Sequence, residues 1–242
     1  MKKNLTIIVP AYNEDKNIER VVSEVIDVAI NLLDNYEIII VNDGSKDKTL
    51  EIISMLSERH NHISVINFET NQGVGAAYKA ALDKASLEFI TLIPGDGAFT
   101  KESLEHLFSA VGIAEMVISF RSNPNARSFL RKYLSKICTA QLNLTIKCRL
   151  KDGHSLYVWP TQKARLIKIT PDYSYHLITL VNLFKAVSSY AEVPVWLTLH
   201  PDKSSGVLKI NVITKLAYEL TKLTIKSLLV KDTPKPKKVH IN

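Results

Sequence analysis

The sequence holds only two cysteines, Cys138 and Cys148. That is too few for a disulfide framework, and the spacing is wrong for a metal site, so both thiols read as small apolar fillers in a reducing compartment. No apolar run approaches the ~18 residues of a spanning helix, which argues against an integral membrane protein and leaves surface attachment open. The opening MKKNLTIIV has a charged-then-apolar start, but its apolar part stops at Pro10 after about five residues, short of the ~7 a signal segment needs. It reads as a first strand. The turn that follows, PAYNED (10–15), lacks glycine, and no Walker-type lysine motif occurs anywhere. A dinucleotide fingerprint and an ATPase-type phosphate loop are thereby excluded. Aromatic residues make up 7% of the chain and are not interleaved with the basic ones, which speaks against nucleic-acid binding.

What is present is apolar and basic. Hydrophobic residues account for 46% of the 242, enough for a sizeable core. The 31 basic residues outnumber the 24 acidic ones, and the resulting +7 favours an anionic partner such as a phosphate or a membrane surface.

Short β-branched runs alternate with helical periods. LTIIV (5–9) precedes a helix in which Ile18, Val21, Val22, Val25, Ile26, Ala29 and Leu32 share a face. YEIIIV (36–41) precedes a helix over 48–59, ISVIN (63–67) one over 75–85, and LEFITLI (87–93) one over 102–110; MVISF (116–120) makes a fifth strand. Uniformly apolar strands in this alternation predict an α/β fold, a mainly parallel sheet covered by helices on both faces. Ligands of such sheets bind beyond the carboxyl ends of the strands. The segments there are PAYNED, NDGSKDKT, ETNQGVG and PGDGAF, and the first, second and fourth each carry an acid close to the strand end.

IVPAYNE, VNDGSKDKT, NQGVGAAYKAAL and the acid of PGDG, in that order and spacing, resemble the family 2 glycosyltransferases of the GT-A (Rossmann-like) fold, particularly the polyprenyl-phosphate sugar synthases. The likeness is close over residues 4 to about 120 and looser to about 200. It implies a three-layer sandwich and an inverting transfer of a sugar from a UDP- or GDP-linked donor to a polyprenyl phosphate. By the same resemblance Pro10, Ala11, Tyr12 and Glu14 cradle the nucleoside, Asp43 accepts from the base, and Gly73 and Gly75 let the backbone approach the donor. Asp96 stands at the second acid of the family's Asp-x-Asp, whose first position is Pro94 here, and would hold Mg²⁺ or Mn²⁺ on the diphosphate, with the flanking glycines leaving room for ion and sugar. Each of these residues also has a plainer use: an Asx-turn for Asp43, a helix cap near Glu14, a turn aspartate at 96.

The second half is read more loosely. Arg121, Arg127, Arg131 and Lys132 form a basic stretch, with Arg121 expected on the donor. Asp152 matches the acid that serves hydroxyl-accepting relatives as general base, and His154 lies near it. A lipid phosphate is already ionised and needs no such base. HPDKSSGVLK resembles a loop closing over the donor phosphates, which would bring in His200, Lys203 and Lys209. The expected domains are a catalytic unit over 1–206, an amphipathic basic helix over 207–230, and a disordered tail over 231–242. That helix is suited to a membrane interface, to the catalytic unit or to a partner. The reading places the protein in the cytoplasm, peripheral on a membrane. Transfer to a hydroxyl, and donor binding without turnover, are the alternatives.

Overall fold

The protein is described here as a computed structural model covering residues 2–123, 129–153, 155–170, 175–198, 210–229 and 235–241. The first half follows the alternation: β1 (Asn4–Ala11), α1 (Ile18–Leu32), β2 (Asn35–Asp43), α2 (Thr49–Arg59), β3 (Ile63–Phe68), α3 (Val74–Lys84), β4 (Phe89–Leu92), α4 (Lys101–Ser109) and β5 (Met116–Arg121). Then come α5 (Phe129–Ile146), β6 (Tyr157–Pro160), α6 (Thr161–Arg165), α7 (Tyr175–Ala186), β7 (Ser189–Val195), α8 (Ile210–Leu229) and β8 (Lys237–Val239). One sheet contains all eight strands in the order β3-β2-β1-β4-β6-β5-β7-β8. Every neighbouring pair is parallel except those made by β6, which runs against both β4 and β5.

Strand periodicity divides the core into two layers. Ile7, Val9, Ile38 and Ile40 face a cluster built with α1, α2 and α4, through Val22, Val25, Ile53 and Leu107. Ile8, Ile39 and Val41 face the opposite way, onto α3, α5, α7 and α8, through Tyr78, Leu142, Leu180 and Leu220. Because the strands bury both faces they are apolar throughout, which is what made them legible. At α4 the hydroxyl of Thr100 accepts from the Ser103 amide at 3.3 Å, a side-chain cap on an otherwise open helix end.

One expectation changes. The basic tail, expected to be disordered, supplies the edge strand β8, paired in parallel with β7 through Ser189↔Lys237 and Ala191↔Val239. Strand pairing uses backbone groups and tolerates charged side chains on an exposed edge, and Lys238 gains an ion pair with the largely buried carboxylate of Glu192. The C-terminal helix is described over Ile210–Leu229, residues 207–209 and 230 of the expected span lying outside the described range, and of the placements left open it takes packing on the catalytic unit, against α5 and α7.

Candidate active site

The expected turns converge because β2, β1 and β4 are neighbours that run the same way. Strands in a sheet lie about 4.8 Å apart, so the turns that follow these three leave one edge within roughly 10 Å. Glu14, Asp43 and Asp96 therefore share a rim.

The turn after β1 is fastened to the turn after β2. The Asn13 amide, in a left-handed conformation at φ 55°, donates to Ser45 Oγ at 3.0 Å, and the Lys46 amide donates back to Asn13 Oδ1 at 2.8 Å. The Glu14 amide donates to Thr49 Oγ1 at 2.8 Å and the Asp15 amide to Asp47 Oδ2 at 3.2 Å. Burial alone would raise the Asp47 carboxyl, but the hydrogen bonds it accepts from the Thr49 hydroxyl, the Thr49 amide and the Asp15 amide outweigh burial, and it titrates below the usual carboxylate range. Tyr12 stays exposed on the outer lip.

Asp43 ties the second turn to the third. Its carboxylate accepts from the Gln72 amide at 2.7 Å and the Gly73 amide at 3.0 Å, fixing the entry to α3. Gly44, at φ 72°, lies so close to that turn that an added Cβ would sit 2.5 Å from the Thr70 carbonyl carbon. Gly73 takes φ 91° at the helix start, while Gly75 is buried in the first turn of α3. Asp43→Ala leaves two amides without their acceptor and is expected to cost about 1–3 kcal/mol in chemical denaturation, with nucleotide affinity falling alongside.

The turn after β4 is docked on β1. The Gly95 amide donates to the Pro10 carbonyl at 3.1 Å, beside the buried Ala11. A Cβ at Gly95 would lie 2.9 Å from the Pro10 oxygen, and one at Gly97 would lie 2.3 Å from Arg20 Nη2. The two glycines thus permit close packing of the turn, in place of the open room expected around the acid. Half-buried Asp96 accepts from the Ala98 amide at 3.0 Å through Oδ1, and its other oxygen has no hydrogen-bond partner among the described residues. Arg20 had no signal in the sequence; helix α1 brings its guanidinium to this turn.

Beyond β5 stands a second charged group. Ser119 accepts from the Leu156 amide at 2.8 Å and donates to Ser155 Oγ at 2.7 Å, which holds the segment before β6 against β5. Asp152 thereby reaches Arg121: Nε donates to Oδ2 at 2.5 Å and Nη2 to Oδ1 at 2.8 Å, with both side chains about nine-tenths buried. Arg121 Nη2 also donates to Ser135 Oγ of α5 at 2.8 Å, and Nη1 is buried without a hydrogen-bond partner among the described residues. The guanidinium expected on the donor is instead largely committed to Asp152. The Tyr157 hydroxyl is likewise buried; burial pushes it well above its usual range, the charge of Asp152 adds to this, and the nearby Ser155 backbone amide and the charge of Arg121 oppose it. Neither Ser135 nor Tyr157 was singled out by the sequence, for Ser135 meets Arg121 across 14 positions and Tyr157 is brought near that pair by the register of β6 on β5. His154, Arg127, His200, Lys203 and Lys209 lie outside the described residues.

The sequence pattern of glycosyl transferase family 2 matches residues 6–170, which contain every acid of this rim and the Arg121–Asp152 pair. The chain belongs to that family. Among curated relatives, this family 2 glycosyltransferase is 28% identical over 247 aligned positions to a dolichyl-phosphate beta-glucosyltransferase of Trichomonas vaginalis, covering 91% of the chain and 70% of the relative. A second such protein from that organism is 31% identical over 144 positions, covering 54% of the chain and 45% of the relative. An undecaprenyl-phosphate 4-deoxy-4-formamido-L-arabinose transferase of Photorhabdus laumondii is 28% identical, covering 58% and 43%. The chain thus spans about half the length of most of these relatives. The fold is similar to that of glucosyl-3-phosphoglycerate synthase from Mycobacterium tuberculosis: its complex with uridine diphosphate superposes with a TM-score of 0.66 at 18% identity, over 95% of this chain and 82% of the other. A complex of the same enzyme with Mn²⁺, uridine diphosphate and phosphoglyceric acid gives 0.66 at 17% identity, over 95% and 80%. The GT-A expectation is met.

Proposed function

We propose that this family 2 glycosyltransferase moves a sugar from a uridine diphosphate donor to a polyprenyl phosphate at a membrane surface. The observation that carries the reading is the convergence of Glu14, Asp43 and Asp96 at the ends of three adjacent parallel strands, with the buried Arg121 at the end of a fourth strand, β5, which runs the same way because β6 is antiparallel to both β4 and β5. The relatives named for polyprenyl-phosphate substrates and the fold neighbour's complexes with uridine diphosphate support the choice of acceptor and donor.

In this reading the Asp43 carboxylate, pinned by two amides, presents its remaining lone pairs to an N–H of the base, and Glu14 accepts from a ribose hydroxyl. Tyr12 covers the nucleoside from outside. Asp96 fits a divalent cation, since it is half-buried and has one carboxylate oxygen without a hydrogen-bond partner among the described residues. Mg²⁺ and Mn²⁺ sites of this kind take one or two carboxylates and complete their shell with donor phosphates. Such an ion would supply neutralisation of charge on the departing diphosphate. Arg20, beside the same turn, is paired with Glu24 at 2.9 Å, so its positive charge reaches the rim already partly neutralised. On the acceptor side, Asp152 holds the guanidinium of Arg121 in place while Nη1 of Arg121 offers its hydrogens to an anionic oxygen. A phosphate acceptor attacks without losing a proton, so a carboxylate occupied by Arg121 can orient the site without acting as a base. Attack opposite the leaving diphosphate inverts the anomeric centre.

Purified protein incubated with UDP-glucose, UDP-N-acetylglucosamine and GDP-mannose in turn, plus undecaprenyl or dolichyl phosphate and Mg²⁺ or Mn²⁺, is expected to release UDP from one of the two uridine donors with formation of one glycolipid visible by mass spectrometry, and to release no GDP from GDP-mannose. Absence of product with every donor, or equal UDP release when the phosphate is replaced by a polyprenol or a glycan, overturns the proposal.

A further inference from the structure

Helices α5 and α8 lie side by side on the outer face of the second layer. Their seam is made by small polar side chains: Thr145 Oγ1 meets Thr224 Oγ1 at 2.7 Å, Ser227 Oγ donates to the Thr145 carbonyl at 2.5 Å, and nearer the surface Gln141 Nε2 donates to Thr221 Oγ1 at 2.9 Å. Leu142 and Ile146 from α5, with Leu220 and Leu223 from α8, point into the core.

The faces turned outward are not ordinary solvated faces. On α5 the exposed residues are Tyr133, Lys136, Ile137, Ala140 and Leu144, a spacing that returns to one stripe every turn. On α8 they include Ala217, Tyr218, Thr221, Lys222 and Ile225, with the same recurrence. The Gln141–Thr221 bond spans the two stripes, so they form one surface. Tyr133, Ile137, Leu144, Tyr218 and Ile225 are between 47% and 66% exposed, whereas the exposed apolar residues of the opposite layer, Ile30 and Met55, occur once per helix. Large apolar groups gathered on a surface mark an interaction site; scattered ones do not. Charge narrows the partner. Helix α5 carries Arg131, Lys132 and Lys136 and no acid, and α8 carries Lys215, Lys222 and Lys226 against Glu219 alone.

We infer that the α5–α8 face docks on an anionic lipid bilayer, its tyrosines at headgroup level and its isoleucines and leucine just below. Two parallel stripes give a broad, shallow surface suited to lying in an interface, where apolar burial and attraction to anionic lipid act together. Helix α5 also carries Ser135, bonded to Arg121, so docking by this face brings the proposed acceptor pocket to the bilayer. Only that last consequence rests on the lipid-phosphate reading.

The test is co-sedimentation of the full chain with vesicles of phosphatidylcholine alone or mixed with phosphatidylglycerol. Wild-type protein is expected on the mixed vesicles and to leave them as salt rises. The variant combining Tyr133→Ser, Ile137→Ser, Tyr218→Ser and Ile225→Ser is expected to partition about tenfold less or weaker still. Lys136→Glu with Lys222→Glu should abolish the preference for the anionic mixture. All six positions are exposed, and unchanged affinity for uridine diphosphate by calorimetry verifies that each variant is folded. Equal partitioning of wild type to both vesicle types, or of the fourfold variant and wild type, overturns the inference. So does a wild-type dimer in light scattering that the fourfold variant abolishes, which assigns the face to a second copy. Failure to form glycolipid while vesicle binding persists counts against the proposed reaction and leaves this surface standing.

Discussion

Arg121→Ala is expected to abolish glycolipid formation and to lower stability by about 3–5 kcal/mol, the usual cost of stranding one member of a buried ion pair. The pair is well placed to show it, because Asp152 is only 7% exposed and receives two guanidinium N–H bonds. Urea denaturation measures the stability and UDP release the turnover. A second substitution separates structure from chemistry. Asp152→Asn in the Arg121→Ala background removes the stranded charge and should recover much of the stability, while turnover stays lost because the donor to the acceptor phosphate is still missing. Recovery of both, or neither, would mean that Arg121 does not have the double role argued for it. Lys at this position is a poor substitute: an ammonium cannot engage both carboxylate oxygens and Ser135 in the plane that the guanidinium spans.

Asp96→Ala carries the other large effect, a loss of about 10³-fold or more in turnover with little change in stability. The expectation follows from what the side chain does in the fold, which is to accept one hydrogen bond from the Ala98 amide within a turn already fastened by Gly95 to Pro10. Its remaining oxygen is left for the rim, and loss of charge stabilisation at a leaving group is worth several kcal/mol of barrier. Calorimetry of uridine diphosphate with and without Mn²⁺ provides a readout apart from turnover: the metal should tighten binding to the wild type and have no effect on Asp96→Ala. Identical metal enhancement in both proteins would remove Asp96 from the diphosphate site.

The parallel half of the sheet was legible because burial on both faces writes an unbroken apolar run for each strand, as in LTIIV and YEIIIV, and because the intervening helices show one-sided periodicity. The rim acids were legible because β2, β1 and β4 turn out to be neighbours, which the alternation favoured without naming the order. The second half yielded less. Helix α5 has apolar residues on its outer as well as its inner face, which blurs the amphipathic signal, and β6 is four residues long and runs against the sheet. Strand β8 is basic, and only the edge of β7 makes it a strand. The Arg121–Asp152–Ser135 group could be named in part by residue type but not by contact. Its geometry is set by hydrogen bonds among Ser119, Ser155 and Leu156 that no local pattern records.

Placing β8 after α8 in the chain has a mechanical corollary. The helix falls in the chain between β7 and β8, adjacent parallel strands of one sheet, so the polypeptide leads back to the same edge of the domain on both sides of it. Because α8 packs on α5 and α7 as well, a bilayer that took hold of α8 would bear on the edge strands and the second layer together.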